Sequence, residues 1–182
     1  MELTATDPSD AAPLETPRLW LRRWRDDDVD ALAAINADPE VMRYIHDGRP
    51  LDRAATAERL AGYRRQWEER GYGLYAVESK RTGELAGFTG LAVPTFLPEI
   101  MPAVEIGWRL GREYWGQGLA TEAARAVVAR TRAVSALRRL VSVHVVGNEA
   151  SARVMVKLGM AWERETVQPD TGRRVRVYTM QW

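Results

Sequence analysis

The amino-acid sequence predicts an α/β (α+β) protein in which one mixed sheet is covered by helices. Three observations carry this. From Val104 onward the apolar spacing reads strand, helix, strand, helix, strand, strand. The first half carries a strand, then helices, then a hairpin. A chain of 182 residues holds one core of ordinary size and is too short for two. Elements in this order bury their apolar faces as layers of a single domain.

Residues 1–14 are polar and acidic and read as a disordered lead-in, with residues 15–182 forming the domain. Arg18–Trp24 alternates Leu19 and Leu21 against Trp20 and Arg22, as a first strand does. Asp26–Asp28 are N-cap candidates for a helix through about Asn36, and Pro39 opens a short second helical turn. Leu60, Tyr63 and Trp67 recur at helical spacing between Thr56 and Arg70, and Gly71 stops that helix. A hairpin follows, 72–78 and 84–91, turning at Gly83. The proline-punctuated loop 94–102 keeps Phe96, Leu97, Ile100 and Met101, which suits a pocket lid, a dimer contact or packing over the core. Then come a strand at 104–110, an alanine-rich helix at 119–132 and a strand at 140–146. A helix at 148–158 and strands at 160–167 and 173–180 complete the chain.

Composition excludes several classes. There is no cysteine, so disulfides and thiolate chemistry are absent. The formal charge of +1 argues against a nucleic-acid binder. No apolar run approaches membrane-spanning length, and the acidic start does not read as a secretory signal, so the expectation is a cytoplasmic protein away from membranes. The arginine runs 22, 23, 25 and 173, 174, 176 read as solvated strand faces. His46, in a substrate-side loop, and His144, in a strand, are too isolated to form a metal site.

The chemistry centres on Trp115-Gly116-Gln117-Gly118-Leu119-Ala120, where a strand feeds two glycines and then a helix. Helix starts leave backbone N–H groups unpaired, and glycines let those donors approach a bulky anion. Neither a lysine-containing P-loop nor the third glycine of a dinucleotide fingerprint is present. Glycine content alone leaves a tight turn without a ligand equally open.

This segment resembles the pyrophosphate-binding turn of the GCN5-related N-acetyltransferase (GNAT) superfamily. Gly118 and Ala120 fill its last two defined positions, and Trp115 stands where Arg or Gln is usual. Tyr114-Trp115-Gly116-Gln117-Gly118 is similar to the branch of ribosomal-protein-alanine N-acetyltransferases. So are Glu15 to Arg22, Glu105-Ile106-Gly107-Trp108, Asn148 to Ser151 and Lys157 to Met160. The resemblance implies a single-domain acyl-CoA N-acyltransferase fold, with a mixed, mostly antiparallel central sheet and helices on both faces. It implies acetyl-CoA as co-substrate, no metal, and a protein N-terminus or small molecule as the amine partner, in a monomer or homodimer.

Acetyl transfer from a thioester needs a neutral amine, a donor for the oxyanion and a proton for the thiolate. Glu105 interrupts an apolar strand and is the candidate base; a carboxylate paired with arginine is the plain alternative. By resemblance, the backbone at Ile106, Trp108 and Leu110 meets the acyl carbonyl and the cofactor arm, with Trp108 itself suited to the core. Trp115, Gly116, Gln117, Gly118, Leu119 and Ala120 hold the pyrophosphate. Asn148 caps a helix and also reaches the arm, and the Ser151 hydroxyl reaches the sulfur. Met155 replaces the tyrosine acid common in the superfamily, leaving Tyr114 and Tyr178 as substitutes. Arg112 and Lys157 are candidates for cofactor phosphates or are simply solvated. The acceptor is expected between the first helices and the 94–102 loop, with Asp47 or Glu99 near a peptide ammonium. A non-catalytic acyl-CoA-binding module would lack a polar group such as Glu105 near the thioester. Succinyl-CoA as donor would need a cation near the acyl tip, for which Arg109 is the neighbour in sequence.

Overall fold

The computed structural model describes residues 13–182. Its strands are β1 (Leu14–Glu15), β2 (Leu19–Arg22), β3 (Leu74–Ser79), β4 (Leu85–Ala92), β5 (Glu105–Leu110), β6 (Arg139–Val145), β7 (Ala161–Val167) and β8 (Arg174–Gln181). Its helices are α1 (Asp28–Ala37), α2 (Pro39–Met42), α3 (Arg53–Arg70), α4 (Leu119–Val134) and α5 (Glu149–Lys157). The strands form one sheet in the order β1-β2-β3-β4-β5-β6-β8-β7. Every neighbouring pair is antiparallel except β5 and β6, which are parallel. This is the mixed sheet flanked by helices that the apolar patterns predict, mostly antiparallel as the family resemblance implies. The expected lead-in lies outside the described residues up to residue 12, and Leu14 at its end pairs with Leu21 in β1.

Strand alternation explains the two covered faces. In β3, Tyr75 and Val77 join Ala123, Ala124 and Val127 of α4 on one face. Leu74 and Ala76 join Leu32 of α1, Leu60 of α3 and Trp24 on the other. The small side chains of Ala123 and Ala124 are fully buried and let α4 lie close to the sheet. Leu97 and Ile100 of the 94–102 loop pack with Val141, Val175 and Val177, so this part of the loop covers the core.

Helix α3 begins three residues earlier than Thr56. Asp52 accepts a hydrogen bond from the Ala55 amide at 2.8 Å and caps the helix, fixing a first turn without large apolar side chains that apolar periodicity does not register. In the first arginine run Arg25 is 61% exposed, as expected of a solvated face, but Arg22 is not. Arg22 is 11% exposed and donates to both oxygens of Asp28 at 2.8 Å and to Glu78 at 2.8 Å. The start of α1 covers that part of β2. The hydrogen bond from Arg22 holds the Asp28 carboxyl below its usual range against the opposing effect of burial. In the second run, Arg174 and Arg176 pair with Glu165, and Arg173 donates to the carbonyls of Arg43 and His46. Among the described residues no helix is long and apolar enough to cross a membrane.

Candidate active site

The site begins where two parallel strands part. β5 and β6 share one register pair, Glu105 with Val141, supported by the Val141 amide donating to the Val104 carbonyl at 3.0 Å. Among the described residues no further ladder pair joins them, so the β6-facing edge of Ile106–Leu110 is open. The opposite edge is fully paired with β4. Glu105 sits at the apex of this wedge, where its Oε1 accepts from the Val143 amide at 3.2 Å. No arginine pairs with it among the described residues. Burial pushes its pKa up to about 7, opposed only by that one hydrogen bond.

The glycine turn closes the other end of β5. Gly116 and Gly118 have φ of 72° and 77°, the left-handed region that favours glycine. Gly118 is the N-cap of α4 and supplies no side-chain cap. The helical ladder opens with the Glu122 amide donating to the Gly118 carbonyl at 3.0 Å, so the amides just before it point out of the helix. A Cβ built on Gly116 would meet nothing within 4 Å, so the space in front of the turn is open. Trp115 does not offer a polar group to that space: its Nε1 donates to the Leu110 carbonyl at 2.8 Å and ties the turn to the end of β5. Gln117 donates to the Glu113 carbonyl at 2.7 Å.

A network that sequence reasoning missed braces the turn from behind. Arg18 donates to the Gln117 carbonyl at 2.9 Å and to Glu122 at 2.7 Å, and the Thr16 hydroxyl donates to Glu122 at 2.7 Å. Burial would raise the Glu122 pKa, but these donors hold it below its usual range. The partners lie about a hundred residues apart, and no local spacing links them.

Helix α5 forms the far wall. Asn148 caps it, accepting from the Ser151 amide at 3.2 Å. Met155 is fully buried in the core, so the position of the usual tyrosine acid holds an apolar group turned away from solvent. Tyr114 is buried with its hydroxyl 3.5 Å from the Thr82 hydroxyl, and the Tyr178 ring lies 5.7 Å from that of His144. His144, in β6, is 3% exposed and also lines the cleft. Its Nδ1 lies 3.0 Å from the Val145 carbonyl, its Nε2 has no partner among the described residues, and burial lowers its pKa.

One open cleft of about 1470 Å³ runs along the wedge and the turn. Glu105, Trp108 and Leu110 line it from β5, and Trp115, Gly116, Gly118, Leu119 and Ala120 from the turn. Asn148, Ser151 and Lys157 line it from α5. Three other predicted residues are not brought in by their side chains. The Ile106 side chain is fully buried in the core with α4. Arg112 lies outside the cleft and pairs with Asp38 at 3.2 Å, while Gln117 is held by Glu113. Asp47 and Glu99 do not line the cleft either: Asp47 accepts from the Arg49 amide and Glu99 from the Thr166 hydroxyl.

A parted strand pair, a glycine turn at an uncapped helix start and a lone carboxylate at the apex fit an elongated, phosphate-bearing acyl carrier. They define an acyltransferase that takes an acyl-CoA donor. The chain belongs to the acetyltransferase (GNAT) domain family, which it matches over residues 18–161. It is 36% identical over 154 residues to the Bacillus subtilis protein YkkB, spanning 83% of this chain and 86% of that one. Its fold is similar to an acetyltransferase from Agrobacterium tumefaciens, with a TM-score of 0.80, 27% identity and coverage of 94% and 95%. It also resembles RimL, a ribosomal L7/L12 alpha-N-protein acetyltransferase solved with coenzyme A, at TM-score 0.77, 19% identity and coverage of 93% and 98%.

Proposed function

We propose that the protein transfers the acetyl group of acetyl-CoA to a primary amine by direct attack within a ternary complex, with Glu105 as the proton acceptor. The observation that carries this is the placement of Glu105: unpaired by any cation among the described residues, at the apex of the wedge, with a pKa of about 7. Acetyl-CoA, when bound, supplies the thioester carbon that the amine attacks. Glu105 takes the proton the amine loses, directly or through one water. The outward amides at the start of α4 hold the pyrophosphate, with the helix dipole adding to their attraction. The open edge of β5 offers its backbone groups to the amide-bearing arm. Asn148 orients the first turn of α5, and the Ser151 hydroxyl is the polar group there that can hydrogen-bond toward the sulfur. Lys157 lines the same wall and suits a terminal phosphate. The acceptor is a protein N-terminus, as RimL's name states for that protein, or a small molecule.

The test supplies acetyl-CoA with N-terminal peptides, amino acids, polyamines and aminoglycosides in parallel and measures thiol release. At least one amine is expected to be acetylated, and Glu105→Gln to lower kcat about 10²–10⁴-fold. Thiol release from none of them would end the enzymatic reading. Undiminished turnover by Glu105→Gln would remove this residue as the base.

A further inference from the structure

Arg109 lies on the same face of β5 as Glu105, four residues further on, or roughly 13 Å at about 3.3 Å per residue. It lines the cleft in front of α1 and α3. Its Nη1 donates to Asn36 Oδ1 at 2.6 Å, and its guanidinium carbon sits 5.0 Å from the centroid of the Phe88 ring. Its buried Nε has no partner among the described residues. No carboxylate among them pairs with it. Burial lowers its pKa, and the nearby Arg59 acts in the same direction against Tyr63.

The acids that line the cleft do not neutralise this end of it. Glu40 lies 3.9 Å from Arg43, and Asp170 lies 3.3 Å from His46 and accepts from Gln168. Glu58 is exposed on α3. Asn36 is fully buried and brings a neutral amide, its own Nδ2 donating to the Thr56 hydroxyl at 3.2 Å. A guanidinium removed from water without a counter-ion is costly, and an open cleft beside it is where a counter-ion can arrive.

We propose that Arg109 anchors a carboxylate carried by the acceptor, so that the amine substrate is an amino-carboxylate compound rather than a polyamine or aminoglycoside. The proposal rests on the acetyl-transfer reading above. The amine is presented at Glu105 and the carboxylate at Arg109, on one face of one strand.

The experiment compares kcat and KM, with acetyl-CoA, for matched acceptors that differ by carboxylate against carboxamide, such as acidic peptides and amino acids with their amides. The wild type is expected to favour the carboxylate. Arg109→Gln should raise KM for the carboxylate about 30-fold and for the carboxamide by far less, so that the preference collapses. Asn36→Asp keeps the packing and gives Arg109 an internal counter-ion, so it should erase the same preference without lowering the melting temperature. Preference for polyamines or aminoglycosides overturns the proposal and leaves acetyl transfer standing. So does an equal loss for both acceptors in Arg109→Gln, which marks a packing role. A preference for succinyl-CoA over acetyl-CoA that depends on Arg109 also overturns it, by placing the carboxylate on the donor. Absence of thiol release with every acceptor, while acetyl-CoA still raises the melting temperature, defeats acetyl transfer and this proposal together.

Discussion

A carboxylic acid ionises near neutrality when its charged form loses water and gains little in return, and Glu105 receives one backbone hydrogen bond for that loss. The basic form of the group therefore grows as pH rises through about 7. With saturating acceptor, kcat should climb through that range and level off above it, and the limb should vanish in Glu105→Gln. Stability runs the other way. The folded pKa is raised above the ordinary 4.5, so the protonated group favours the fold fully below that value, and the benefit is lost as pH rises through about 7. Thermal melts from about pH 5 to about pH 8 should show Glu105→Gln gaining on the wild type as pH increases. Glu105 was legible in the sequence because a lone acid interrupts an apolar strand. His144 and Arg109 were not assigned comparable settings, because what distinguishes them is burial and a partner: Asn36 lies 73 residues from Arg109 in the chain.

At the scale of elements, period and punctuation carried most of the reading. The strands and helices stand where alternation, helical spacing, prolines and glycines place them, within a few residues at their ends. What escaped was cross-chain: the Asp28 and Glu78 partners of Arg22, and the brace that Thr16, Arg18 and Glu122 form behind the glycine turn. Such partners are chosen by register between distant segments, which local composition does not encode. The turn itself yields a sharp expectation. A side chain at Gly118 would meet no closer atom than Arg18 Nη2 at 3.8 Å, so the penalty of Gly118→Ala is conformational, arising from φ of 77°. It should cost about 1–2 kcal/mol in denaturant unfolding. The same change should weaken acetyl-CoA binding in calorimetry, because the amides of the first helical turn shift with it. Unaltered affinity alongside the expected loss of stability would separate the turn from the cofactor.

Across the whole molecule, the defining feature is a sheet that is continuous in order yet open in the middle. β4 with β5 and β6 with β8 are fully laddered, while β5 and β6 are joined at their first pair only. Both halves share the apolar cluster under α4, which includes Leu140 of β6 and Met180 of β8, and the 94–102 loop adds a second cluster over β6 and β8. The wedge between them exposes backbone donors and acceptors that a fully paired sheet would satisfy internally. A ligand laid along the open edge of β5 completes what the fold leaves undone, and it binds the native state alone. Acetyl-CoA at about a hundred times its Kd should then stabilise the fold by about 2.7 kcal/mol, raising the melting temperature by about 5–10 °C for a chain of this size. Amide hydrogen exchange should slow along Ile106–Leu110 and at the start of α4, and remain unchanged in β7, which lies at the far edge of the sheet. Protection spread evenly over every strand would indicate general tightening of the native state, and a wedge occupied by the cofactor arm would no longer explain it.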